Sequence, residues 1–273
     1  MNSNNLEEKC VWSNGGKISY FLDRPFLDKP TVVFLHGLSS NHTTWLNIIS
    51  AVHEIGYNSL TLDLRGHGLS DKTKKRDLYS FSVFSDDLNK ILKQEDIADI
   101  ILVGYSFGGE IAIDYSINYP EFVKKLVLIS ANFTSPLDYR GLSILNPVFS
   151  GVLNALGGLL LWQGNGKYMY YQHKDSVGYW DSVLDGFRTM PISINFWMLS
   201  LMFGIDFRRQ IQKLDISTII IRGSGDLFIS QKEVEDASKN IKKSKVIVSK
   251  HPSHFVASDS QDEIKEVIIN FLR

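Results

Sequence analysis

Short apolar runs alternate with stretches of helical periodicity along most of the chain. TVVFLH (Thr31–His36), YNSLTLDL (Tyr57–Leu64), DIILVGY (Asp99–Tyr105), KKLVLISA (Lys124–Ala131), ISTIIIRG (Ile216–Gly223) and KVIVS (Lys245–Ser249) are mostly near-continuous in Val, Ile and Leu. That composition predicts strands covered on both faces. Between them, TTWLNIISAVHEIG carries a stripe at Trp45, Ile48, Ile49, Val52 and Ile55 that ends at Gly56, and SVFSDDLNKILKQ repeats the pattern. GGEIAIDYSINYP stops at Pro120, and DEIKEVIINFLR closes the chain. These predict amphipathic helices. Strand and helix in alternation imply a mostly parallel sheet with helices on both faces. Ahead of it, CVWSNG and KISYFLD predict an antiparallel hairpin turning at Asn14-Gly15-Gly16.

The alternation breaks between about Ser135 and Gln210, a region of large apolar and aromatic residues without a good strand. It reads as a helical insertion after the fourth parallel strand. Domain boundaries follow: a core of residues 1–134 and 211–273, and a helical cap of 135–210. Within the insertion, Gly141–Trp162 carries no charge. Its length would suit a spanning helix, but Asn146, Pro147 and Asn154 interrupt it and no basic cluster lies close to either end. Its side chains, together with Trp180, Phe187, Phe196, Trp197, Met198 and Met202, could wall a pocket for an acyl chain. Exposed instead, the same faces would touch a membrane transiently or a second subunit.

Charge and composition narrow the field. The 273 residues, 44% of them hydrophobic, suffice for one sizeable core. Lys and Arg number 29 against 30 Asp and Glu, so nothing suggests a nucleic-acid partner. A single cysteine, Cys10, forbids an internal disulfide and fits a reducing, cytoplasmic setting. The polar N-terminus MNSNNLEEKC does not read as a secretory signal.

The chemistry gathers at LVGYSFGGE, Leu102–Glu110. A strand ends at Tyr105 and a helix begins at Phe107, with Ser106 between them and glycines two before and two after it. So tight a turn brings its neighbours into contact, which favours glycine at 104 and 108. The first free N–H groups of the helix then lie beside the hydroxyl, where negative charge is favoured. The plain alternative is that Ser106 merely caps the helix.

GYSFG resembles the nucleophile elbow of the α/β-hydrolase superfamily. FLHGLSS resembles that superfamily's oxyanion loop, at His36-Gly37-Leu38, and DLRGHGLS (Asp63–Ser70) resembles a loop of its capped esterases, lipases and C–C hydrolases. The resemblance implies an acid after ISTIIIRG, where GSGDLFIS places Asp226, and a histidine after the last strand, where SKHPSHF offers His251 and His254. His254 matches the motif position better, although Ser253 replaces the family's usual glycine. The resemblance thus implies Ser106, Asp226 and His254 as a triad, and Leu38 and Phe107 as oxyanion donors. Gly37 of the same loop is a further binding residue on this resemblance, and Trp162 and Trp197 are candidate binding residues from the aromatic content of the insertion. Asp63, Arg65 and His67 read as a loop tying itself down rather than as a metal site. His36 reads as an orderer of the oxyanion loop, and Asp226 has the alternative of capping a helix. No metal or organic cofactor is implied. The implied activity is hydrolysis of lipophilic carboxylic esters, as by a monoacylglycerol lipase or carboxylesterase, in a monomer or homodimer. Thioester or C–C hydrolysis, proline iminopeptidase activity and a non-catalytic small-ligand receptor are the rivals.

Overall fold

In the computed structural model, residues 7–26, 28–160 and 190–273 are described. Eight strands form one sheet: β1 (Glu8–Ser13), β2 (Gly16–Asp23), β3 (Thr31–Leu35), β4 (Asn58–Leu62), β5 (Ile100–Tyr105), β6 (Val123–Ile129), β7 (Ser217–Gly223) and β8 (Ser244–Ser249). Their order is β1-β2-β4-β3-β5-β6-β7-β8. β1 and β2 pair antiparallel, β2 pairs antiparallel with β4, and every pair from β4 onward is parallel. Asn14 (φ 46°) and Gly15 (φ 76°) turn the hairpin in the left-handed region, as the Asn-Gly pair demands.

Helices lie on both faces. They are α1 (Leu46–Glu54), α2 (Phe81–Gln94), α3 (Phe107–Asn118), α4 (Asn146–Leu159), α5 (Ile192–Met202), α6 (Gln231–Asn240), the single turn α7 (Val256–Asp259) and α8 (Gln261–Leu272). Alternate side chains of each central strand feed two cores. Val33, Leu35, Leu102, Leu126 and Ile220 join α2 and α3 on one face. Val32, Phe34, Val103, Val127 and Ile221 join α1 and α8 on the other. Burial on both faces explains why these strands read as continuous apolar runs.

The helix α6 has no broad apolar stripe in sequence, since only Glu233, Val234 and Ala237 are buried along it. Its signal was a capping pattern instead: Ser230 accepts from the Glu233 N–H.

The insertion leaves and returns at one point. The Phe207 N–H donates to the Phe133 carbonyl at 2.9 Å, and Thr134 bridges Asp206. Its helix α5 seats on the loop after β4: a Cβ on Gly66 would lie 2.9 Å from Ile194 and 3.0 Å from Met198. Its helix α4 packs on α5, where Gly157 leaves room for the Trp197 ring, whose atoms would lie 2.5 Å from a Cβ there. Among the described residues no helix is long and apolar enough to cross a membrane.

Candidate active site

Ser106 stands between the end of β5 and the start of α3 with φ 50° and ψ −121°, a strained conformation for a residue with a Cβ. Such strain costs on the order of 1–3 kcal/mol and persists only where the surroundings enforce it. They do so here. The Ser106 N–H donates to the Ile129 carbonyl at 2.8 Å, and its own carbonyl accepts from Gly109 at 2.7 Å. The flanking glycines answer to crowding. A Cβ on Gly104 would sit 2.5 Å from the Gly108 carbonyl oxygen, and one on Gly108 would sit 2.4 Å from that of His36. Ser106 occupies the N-cap position of α3, but its hydroxyl makes no cap hydrogen bond.

The hydroxyl instead meets imidazole. Ser106 Oγ lies 3.1 Å from His254 Nε2, and His254 Nδ1 lies 2.9 Å from Asp226 Oδ2. His254 follows β8, and Asp226 follows β7, so adjacent strand ends deliver both. Their loops touch backbone to backbone: a Cβ on Gly223 would fall 2.0 Å from the Ser253 carbonyl oxygen. The Ser224 N–H donates to the His251 carbonyl at 3.0 Å, while His251 itself is exposed. The other Asp226 oxygen accepts from the N–H groups of Phe228 (2.8 Å) and Ile229 (3.1 Å). Asp226 therefore closes its own turn; Ser230 caps the following helix.

Burial would raise the Asp226 pKa, but the hydrogen bond and charge of His254 and the two N–H donors outweigh it, holding the carboxyl below its ordinary value. An ionised Asp226 accepts a hydrogen bond from Nδ1–H, which keeps the proton on Nδ1 and leaves the Nε2 lone pair facing Ser106. The rings of Phe228 (5.0 Å) and Phe255 (5.2 Å) stand edge-on to the imidazole. Ser106 and His254 are both buried, each exposing 9% of its surface.

The loop after β3 lies against the serine: a Cβ on Gly37 would be 3.5 Å from Ser106 Cβ. His36 sets this loop. Its Nε2 accepts from the Leu64 N–H at 3.0 Å, so Nδ1 carries the proton and donates to the Gly37 carbonyl at 2.8 Å. Burial brings His36 down to about 4, so the ring is neutral. Because the Gly37 C=O and Leu38 N–H belong to one trans peptide, holding the first aims the second the opposite way. Among the described residues no acceptor engages the N–H of Leu38 or of Phe107. The Phe107 side chain is spent in the core against Phe81 and Phe84.

Asp63, Arg65 and His67 brace this arrangement. Asp63 accepts from the His42 N–H and ring (both 2.8 Å) and from the Leu69 N–H (2.7 Å). Burial opposes its ionisation, yet the His42 hydrogen bond and charge, with further donors, pull it to about 2. Arg65 makes a two-pronged pair with Asp87 of α2 (2.7 and 3.0 Å). His67 Nε2 accepts from the Ser39 N–H at 3.1 Å. Among the described residues no cluster with metal-ligand character occurs. Asn195 went unread in the sequence: from α5 it accepts from the Ser39 hydroxyl and joins the insertion to the oxyanion loop. Trp197 lies buried between Gly157 and Tyr79, whose ring is 5.7 Å away. Trp162, Trp180 and Phe187 lie outside the described residues.

The chain belongs to the α/β-hydrolase fold family, whose sequence profile matches residues 30–171, just over half of it. An uncharacterized protein of Mycobacterium tuberculosis is 33% identical over 102 residues, 37% of this chain but 29% of that protein, so the match spans under a third of that relative. A non-heme chloroperoxidase of Kitasatospora aureofaciens is 28% identical over 236 residues, covering 81% of this chain and 82% of that one. An esterase of Exiguobacterium antarcticum superposes with a TM-score of 0.73 at 21% identity, over 97% of this chain and 99% of that one.

Proposed function

We propose that the protein is a serine hydrolase that cleaves carboxylic esters of lipophilic acyl groups through an acyl-enzyme, as a carboxylesterase or monoacylglycerol lipase does. The observation that carries this reading is the unbroken relay from Asp226 through His254 to Ser106, beside two N–H groups with no acceptor among the described residues.

A serine hydroxyl attacks weakly until a base takes its proton. His254 Nε2 takes it as Oγ bonds to the ester carbonyl carbon. The carbonyl oxygen becomes an oxyanion between the N–H groups of Leu38 and Phe107. Losing one such donor typically costs about 3 kcal/mol at the transition state. Asp226 stabilises the imidazolium, which then protonates the departing alcohol. Water repeats the sequence on the acyl-enzyme and releases the acid. No metal or cofactor enters any step. Residues 135–210 serve as the cap over a core of 1–134 and 211–273, and the apolar side chains that the cap turns toward the core, not the exposed ones of α4, receive the acyl chain.

The test joins a fluorophosphonate probe to p-nitrophenyl esters of graded chain length. Labelling at Ser106, lost in Ser106→Ala, and faster turnover of medium than of short acyl groups are expected. No label and no turnover, with a small ligand still bound, would make the protein a receptor on this fold. A sharp optimum at acetate would remove the lipophilic acyl group from the proposal. Faster cleavage of a thioester or dienoic ketone would move the reaction to that bond.

A further inference from the structure

The insertion presents an apolar surface that no described element covers. Gly141–Leu160 contains no charged residue. Along it Ile144 (85%), Val148 (59%), Val152 (53%) and Leu159 (74%) are exposed, with Phe149 and Leu156 beside them. Steps of three and four residues place these side chains on one face of α4 and the turn before it. The opposite face is committed to α5, through Gly157 against Trp197 and Ser150 donating to the Ser200 carbonyl. Apolar patches of this extent mark interaction sites.

Two features define the partner. The first is a cationic rim. Lys74, Lys75 and Arg76 are exposed, with Asp77 the one acid among residues 74–77. Arg76 Nε donates at 2.8 Å to Asn154, which also accepts from Ser200 of α5 and so marks the edge of α4 between its α5 side and its open face. The second is continuity with the Ser106 site. Arg140, just before the uncharged stretch, donates to the Leu227 carbonyl; Leu227 and Phe228 are exposed, and the Phe228 ring stands 5.0 Å from His254. An uncharged apolar helix face beside a cluster of basic side chains suits the boundary between acyl chains and anionic headgroups. A second copy fits less well, since two-fold pairing through this face brings two cationic rims together.

We propose that the α4 face docks on an anionic lipid bilayer and thereby sets the mouth of the Ser106 site against lipid-borne esters. The second half of this statement rests on the hydrolase reading; the docking does not.

Flotation with phosphatidylcholine vesicles, with and without phosphatidylglycerol, tests it on Ser106→Ala protein, so that binding is read without turnover. Association with the anionic vesicles is expected. Ile144→Glu/Val148→Glu should lower partitioning roughly tenfold or more. Lys74→Gln/Lys75→Gln should lower it roughly fivefold per charge and flatten its salt dependence. Both double variants should hydrolyse a soluble short-chain ester at the parent rate when made with Ser106 intact. Failure of the parent protein to float, or unchanged flotation of Ile144→Glu/Val148→Glu, overturns the docking. So does a concentration-dependent dimer that this variant abolishes, in a protein that ignores vesicles. Failure of the hydrolase reading looks different: vesicles are bound, but Ser106 takes no fluorophosphonate label and no ester is cleaved.

Discussion

Replacing Glu110 by glutamine should flatten the alkaline loss of stability. Glu110 sits one turn beyond Ser106 on α3, fully buried. One carboxyl oxygen accepts from Asn132 at 3.1 Å, and the other has no partner among the described residues. Glu233, also buried, accepts from the N–H groups of Phe133 (2.8 Å) and Thr134 (3.0 Å). Burial pushes Glu110 up to about 8, opposed by its Asn132 hydrogen bonds and assisted by the charge on Glu233. The folded chain therefore keeps this proton to about pH 8, whereas the unfolded carboxyl releases it near 4.5. Across that window the folded state binds more protons, so stability falls as pH rises from 4.5 and levels off above 8. Between pH 6 and pH 9, two pH units lie inside the window, worth about 2–3 kcal/mol at 1.36 kcal/mol per unit. Glutamine keeps the carbonyl that Asn132 binds and cannot ionise. Urea unfolding of both proteins at pH 6 and pH 9 reads the difference. The wild-type loss should exceed the Glu110→Gln loss by about 2–3 kcal/mol. A smaller loss of the same sign remains from Glu233, which burial pushes up to about 7. Parallel pH dependence in the two proteins would refute the reasoning, because the buried proton would then lie elsewhere.

The remaining predictions concern the site. Asp226→Asn should fold normally yet lower turnover roughly 10³–10⁴-fold, because the amide favours the wrong imidazole tautomer; steady-state kinetics on a p-nitrophenyl ester decide it, and near-parental turnover would remove Asp226 from the relay. In the same assay His251→Ala should be almost silent, since among the described residues only its backbone N–H and carbonyl are used. Gly108→Ala should cost about 3 kcal/mol in urea unfolding and abolish fluorophosphonate labelling, because the new Cβ would meet the carbonyl oxygens of His36 and Leu35 at 2.4 and 2.5 Å.

Much of the frame was legible because it rests on local rules. Strands covered on both faces must be continuously apolar, and all six runs fall on strands. Asn14-Gly15 carries the left-handed turn that only such residues adopt cheaply. The helix α6 escaped periodicity because its buried stripe is thin and includes Glu233, a residue used as an acceptor by another loop. The role of Arg65 was half legible: the loop does tie itself down, but its partner Asp87 is 22 residues away and nothing local names it. The side chains imagined as pocket walls divide in the fold: Trp197 and Met198 are buried, whereas Leu142, Leu145, Phe149 and Leu156 are exposed. Periodicity shows that a helix has an apolar face but not what lies opposite it.

By itself, then, the sequence determined the order of the strands and of the helices α1, α2, α3 and α8, the sharp turn at Ser106 and the residue types able to relay a proton. These follow from backbone sterics and from the two side-chain periods of strand and helix. Only the tertiary structure decided that His254 rather than His251 faces the hydroxyl, that Gly223 lets the acid and histidine loops touch, and that no other described element covers one face of α4. Those outcomes depend on contacts between segments far apart in the chain, which no local pattern encodes.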